Sequence, residues 1–300
     1  MTFDMTRRSF GLLTLGAVAA FASGPAKGAM DYANPRLLER PEALLAQALD
    51  GGNGRPRYEG EGTILVDVRP REDYLAGHIP GARHLEPNAV VAEHSPVSGA
   101  LKPTGELNTL LSALGVSAMR RVVFYDDRGG FHAARMFWLL EYLGHRDVAV
   151  LNGGLSAWVS ATGSLVEGAE AHDSAQFQAA PSPRRYASAE DVLARRGDPS
   201  AVLVDVRPPS MFVEGHIPWA VNVPWAKNLS EDSRFLPAEA LRAHFASHGV
   251  SPDKKVIMHC QVGLASSHSY VALRLLGFPS VQVYHRSWAE WGADPSLPWA

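Results

Sequence analysis

Cys260 is the only cysteine in a chain of 300 residues, and the residues around it suit a nucleophile. Val256 to His259 is a short run fit for a strand. Cys260-Gln261-Val262-Gly263 reads as a tight loop, and an amphipathic helix follows near 265–276. The sulfur is thereby expected at the carboxyl end of a strand, just before a helix N-terminus. Unpaired N–H groups and the positive end of the helix dipole favour an anion there, either a thiolate or a bound ligand. The thiolate is the form that attacks electrophilic sulfur, and such surroundings lower a cysteine's pKa below its ordinary value of about 8.5. The alternative is a cysteine that serves only as a small buried apolar side chain.

The rest of the chain must supply the elements that hold this loop. Three hundred residues allow two domains of ordinary size. A hydrophobic content of 46% and a net charge of −3 describe a globular protein without the basic stripe of a nucleic-acid binder. The first residues read as an address. Arg7-Arg8 stands ahead of the apolar run Leu12 to Ala22, which is too short to span a bilayer. This pattern resembles a twin-arginine export signal, expected to occupy residues 1–29 and to engage the twin-arginine machinery. An ordinary secretory leader with a chance arginine pair is the alternative. Either one implies export, with the periplasm as destination and no membrane span in the mature chain. Oxidising compartments usually bring paired cysteines. One unpaired thiol in that setting points to chemistry rather than to a disulfide.

The chain also repeats itself. Asp67-Val68-Arg69-Pro70 followed by Gly77-His78-Ile79-Pro80 returns as Asp205-Val206-Arg207-Pro208 followed by Gly215-His216-Ile217-Pro218. Gly144 with Trp158 is echoed by Gly277 with Trp291. Long-range self-similarity of this kind means two copies of one domain. In the second copy, strands are expected near 201–206, 220–223, 255–259 and 280–284, and helices near 209–213, 237–248, 265–276 and 287–291. Strands apolar on both faces alternating with helices imply an α/β fold. It is two tandem domains, each an open, doubly wound parallel sheet flanked by helices, with ligands outside the carboxyl ends of the strands. The expected units are 36–166 and 184–300, joined by a linker over 167–183 that lacks periodicity. Features present in both copies, although only one has a cysteine, are read as structural. Asp67 with Arg69 and Asp205 with Arg207 are therefore expected as ion pairs, and His78 and His216 as scaffold.

These motifs, the Asn152-Gly153-Gly154 stretch leading to Trp158, and the Cys260-Gln261-Val262-Gly263 loop together resemble tandem-domain rhodaneses, the thiosulfate or 3-mercaptopyruvate sulfurtransferases. The resemblance runs from about Arg36 to Trp299. It implies an active C-terminal copy and an inert N-terminal one. Alignment of the helix ends sets Asp127 opposite Cys260. It also implies a persulfide on Cys260, formed from a sulfur donor and discharged to cyanide or a thiol. Backbone N–H groups of Gln261, Val262, Gly263, Leu264, Ala265 and Ser266 would form an anion-binding nest around the sulfur, and no metal or organic cofactor is required.

The chain departs from the family in its cations. Leu264-Ala265 stands where related loops often carry an arginine, and His285-Arg286-Ser287 where relatives often show Asp-Gly-Ser. Ser156 holds a place where some relatives have a substrate-contacting arginine. Arg135, His259, His285 and Arg286 are the candidate replacements. Thiosulfate is the expected donor because the Gly-Ser loop of mercaptopyruvate enzymes is absent. A mercaptopyruvate enzyme and a non-catalytic persulfide carrier or partner-binding module are the alternatives. A cysteine phosphatase is disfavoured, because its Cys-x5-Arg loop would need arginine at Ser266.

Overall fold

The structure, a computed structural model, describes residues 31–49 and 62–300. The export signal expected over residues 1–29 lies outside them. Before the first linker the chain forms β1 (Leu38–Glu39), α1 (Pro41–Leu49), β2 (Thr63–Asp67), α2 (Arg71–Ala76), β3 (Arg83–His84), α3 (Thr104–Ala113), β4 (Arg121–Tyr125), α4 (Phe131–Tyr142), β5 (Val148–Leu151) and α5 (Gly154–Thr162). After it come α6 (Ala189–Leu193), β6 (Ala201–Asp205), α7 (Pro209–Glu214), β7 (Ala220–Asn222), α8 (Ala238–Ala246), β8 (Lys255–His259), α9 (Leu264–Leu275), β9 (Val281–Val283) and α10 (Ser287–Trp291).

The two halves form two parallel sheets, ordered β1-β5-β4-β2-β3 and β7-β6-β8-β9. Read in the same sense, β5-β4-β2-β3 corresponds to β9-β8-β6-β7. The counterpart of β1 is reduced to one parallel bridge from Tyr186 to Val283. Each sheet is buried on both faces, as the apolar runs of β2 and β8 require. The strands and helices expected in the second half occur within a few residues of their predicted positions. Helix α6 was not anticipated. Its signal is a capping box, in which Ser188 and Asp191 satisfy each other's backbone N–H groups.

The shared motifs hold the scaffold in both halves. Arg69 grips the Asp67 carboxylate at 2.6 Å and the Gly77 carbonyl at 2.7 Å. Arg207 repeats both contacts on Asp205 and Gly215. His78 stacks on Tyr74 and His216 on Phe212. Each pair ties a strand end to the turn that follows it.

Helices α4 and α9 pack against each other and join the halves through one hydrophobic core. Glu141 of α4 accepts hydrogen bonds from Arg274 at 2.9 and 3.0 Å, and another from Tyr270. Trp138 donates its indole N–H to the Arg185 carbonyl. Being covered on both sides, α9 buries Ser266, Ser267, His268 and Ser269 completely. The segment after α5 runs as a strap over the first half, with Gly168 N–H on Leu75 O and Ala180 N–H on Leu143 O. At the other end, Asn34 reaches the C-terminal carbonyls of α9 at Arg274 and Leu275.

Candidate active site

Cys260 follows β8 directly and precedes the first turn of α9, with 2% of its surface exposed. The Gly263 N–H points at its sulfur from 3.2 Å, and the Ser266 hydroxyl from 3.5 Å. The turn that makes this possible has Gly263 at φ +85°, a conformation L side chains avoid. The loop after β9 closes the site from the neighbouring strand. Ser287 Oγ accepts the Cys260 N–H at 3.1 Å and stands 4.0 Å from the sulfur. Trp288 and Ala289 donate N–H groups to the carbonyls of Cys260 and Gln261, clamping the loop to the start of α10. From the sequence, Ser287 stands only within the His285-Arg286-Ser287 stretch, with no role of its own. Its signal was available in the topology, because β8 and β9 are parallel neighbours and their C-terminal loops must meet.

The other loop residues divide by position. Val262 and Leu264 line a cavity of about 600 Å³, together with Glu86, Ala89, Lys102 and Arg135 of the first half. Val262 sits hard against Gly99, where a Cβ would lie 2.8 Å from its own. Ala265 is buried in the core beside Cys260. Gln261 is partly buried, and its side-chain carbonyl has no hydrogen-bond partner among the described residues.

Of the four candidate cations, the structure brings two near the sulfur. Arg135 projects from α4 and is 1% exposed. Its guanidinium donates to Gly99 O at 2.9 Å and lies 3.4 Å from His285 Nε2. Burial pulls its pKa down to about 10, while the charge of nearby Cys260 acts in the opposite direction. His285 is buried against Gly263 and edge-on to Trp138. Burial first, then Arg135 and Arg286, holds its pKa well below the ordinary value, so the ring is neutral. His259 is fully buried beside Asp205, at 3.7 Å, and belongs to the scaffold. Arg286 pairs with Glu290 at 2.7 Å near the surface.

The first half shows what the same loop does without a cysteine. By strand register Tyr125 matches His259, each opposite the aspartate of its own half, so Asp126 matches Cys260. This corrects the alignment of Asp127 with Cys260. The loop before α4 is one residue longer than the loop before α9, so counting back from matched helix ends misplaces the strand end by one. The Asp126 carboxylate occupies the nest, accepting N–H groups from Arg128, Gly130, His132 and Ala133 at 2.7–3.0 Å. An anion fixed by four backbone donors shows what this strand-to-helix turn binds.

A rhodanese-like domain family profile matches residues 46–161 and again 188–294, which together span most of the chain. The chain belongs to the rhodanese family. Among its relatives, a thiosulfate sulfurtransferase of Pseudomonas aeruginosa is 34% identical over 257 residues, covering 81% of this chain and 93% of that protein. A 3-mercaptopyruvate sulfurtransferase of Escherichia coli is 33% identical over 243 residues, covering 77% and 86%. The crystal structure of a 3-mercaptopyruvate sulfotransferase from Escherichia coli matches with a TM-score of 0.73 and 30% identity, covering 84% of this chain and 98% of that one. This rhodanese thus has the tandem architecture of sulfurtransferases, with relatives of both donor types at similar distance.

Proposed function

We propose that the protein moves the outer sulfur of thiosulfate to cyanide or a thiol through a persulfide on Cys260. The observation that carries this reading is the sulfur at the head of α9, met by the Gly263 N–H and the Ser266 hydroxyl, in the turn whose counterpart binds the Asp126 carboxylate. In the first step the Cys260 thiolate forms a bond to the outer sulfur of thiosulfate, and sulfite leaves with the electron pair of the broken S–S bond. In the second, cyanide or a thiolate takes that sulfur, and the thiolate of Cys260 is restored. The backbone from Gln261 to Ser266 holds the negative charge that the sulfur carries throughout.

A second reading, with 3-mercaptopyruvate as donor, is favoured by the apolar side chains of Ala89, Val91, Val262 and Leu264 on the cavity wall, which suit a carbon skeleton. Side-by-side measurement of kcat/KM for the two donors on the mature protein decides between them, and thiosulfate is expected to be the better. Cys260→Ser is expected to keep the circular dichroism spectrum and to abolish transfer from both. Retained transfer in that variant would remove the assignment of Cys260.

The same reading divides the chain into a leader (1–29), an N-terminal unit (36–166), a linker (167–183) and a catalytic unit (184–300), with action in the periplasm. Arg7→Lys with Arg8→Lys is expected to leave an uncleaved precursor in the cytoplasm. Mature protein outside the cytoplasm in that variant would mean an ordinary secretory leader.

A further inference from the structure

The family's loop arginine is missing here, yet an anionic donor must be held while its charge passes to a leaving group. The charged side chains around the cavity beside the Cys260 loop are Glu86, Glu93, Lys102 and Arg135. Glu86 accepts the Arg71 N–H at 3.1 Å, and neither acid attracts an anion. Lys102 is only partly buried, at the rim. Arg135 alone among them is nearly inaccessible. Its guanidinium touches His285 Nε2, and the same His285 ring packs on Gly263.

Three observations distinguish this arginine from a packing residue. Among the described residues it makes no ion pair, unlike the similarly buried Arg69 and Arg207, which grip aspartates. Its Nε has no hydrogen-bond partner among the described residues. It lies near enough to Cys260, across the boundary between the two halves, for a charge on the sulfur to oppose the effect of burial on the guanidinium. A buried cation without a counterion is costly. That cost falls when an anion enters the cavity.

From this the geometry points to Arg135 as the group of the cysteine-free half that binds the anionic end of the sulfur donor, the sulfonate of thiosulfate, and then the departing sulfite. His285 Nε2 stands 3.4 Å from the guanidinium nitrogen that also donates to Gly99, and its ring stays neutral, so it does not compete for the anion. The N-terminal copy is then part of the active site. This assignment rests on the persulfide reading for its substrate but not for its charge.

The test separates the two. Cys260 is alkylated with anionic iodoacetate and with neutral iodoacetamide in wild type, Arg135→Gln and Arg135→Lys, and thiosulfate kinetics are measured in parallel. The ratio of iodoacetate to iodoacetamide rates is expected to fall roughly tenfold in Arg135→Gln and to stay near the wild-type ratio in Arg135→Lys. KM for thiosulfate is expected to rise at least about tenfold in Arg135→Gln, with a smaller change in kcat, and several-fold in Arg135→Lys, whose ammonium cannot fork onto two oxygens. An unchanged alkylation ratio in folded Arg135→Gln overturns the assignment. If Arg135→Gln fails to fold, Arg135→Lys decides, and an unchanged KM for thiosulfate overturns it. A wild type that shows the alkylation preference but no turnover with either donor would instead overturn the sulfurtransferase reading and leave the anion site standing.

Discussion

Gly263→Ala is the most informative substitution in the catalytic loop, because its cost follows from geometry. A Cβ on Gly263 would stand 2.0 Å from His285 Nδ1, 2.6 Å from Cε1 and 2.7 Å from the His285 carbonyl oxygen. The backbone part of that clash cannot be relieved by rotating a side chain. The residue also sits at φ +85°, where an L side chain costs about 1–2 kcal/mol. Displacing a fully packed ring adds about 1–3 kcal/mol. Together these give about 2–5 kcal/mol of destabilisation, a fall in Tm of roughly 5–15 °C for a chain of this size. The chemistry is hit through a separate route. Relief of the clash moves the loop and withdraws the Gly263 N–H from the sulfur it meets at 3.2 Å. A hydrogen bond to a charged group is worth about 1.5–3 kcal/mol, so persulfide formation is expected to slow roughly ten- to hundredfold. Thermal melts followed by circular dichroism give the first quantity, and single-turnover persulfide formation read by intact mass gives the second. Gly263→Val is expected to be worse, since a β-branched side chain adds bulk at the same place. A Gly263→Ala protein that melts within about 2 °C of wild type and forms persulfide at the wild-type rate would refute the reasoning.

Two further outcomes follow from buried polar groups away from the sulfur. Asp126→Ala strips four backbone N–H groups of their acceptor. It is expected to cost about 3 kcal/mol or more in thermal or urea melts, with Asp126→Asn milder because one oxygen still accepts. Burial lowers the pKa of His268, at the contact between the halves, from 6.5 to about 4. The unfolded chain therefore takes up this proton before the folded one does. The stability is fully present above about pH 6.5 and is lost as pH falls toward about 4, by about 3 kcal/mol for this group. His259 and His285 act in the same direction. Urea melts across that window are expected to show stability declining with acid, and His268→Gln to flatten the decline. Equal slopes in the two proteins would remove His268 as a contributor.

Much of this protein is written in its order of residues. The doubled Asp-Val-Arg and Gly-His-Ile-Pro motifs announce two copies of one unit, and runs apolar on both faces announce parallel strands, because local periodicity and turn chemistry need no tertiary context. The single cysteine between a strand and a helix marks the reacting atom for the same reason. Which side chains surround that atom is a different matter. Ser287 reaches Cys260 only because β9 lies beside β8. Arg135, more than a hundred residues away, stands out from His259, His285 and Arg286 only once α4 packs against α9. The sequence offered these cations as equals, and burial separates them: His259 is enclosed beside Asp205, Arg286 is spent on Glu290, His285 is neutral, and Arg135 keeps an uncompensated charge. The one-residue error at Asp127 has the same origin. Helix ends can be counted along a chain, but the position facing the nest is fixed by strand register, and register exists only between strands.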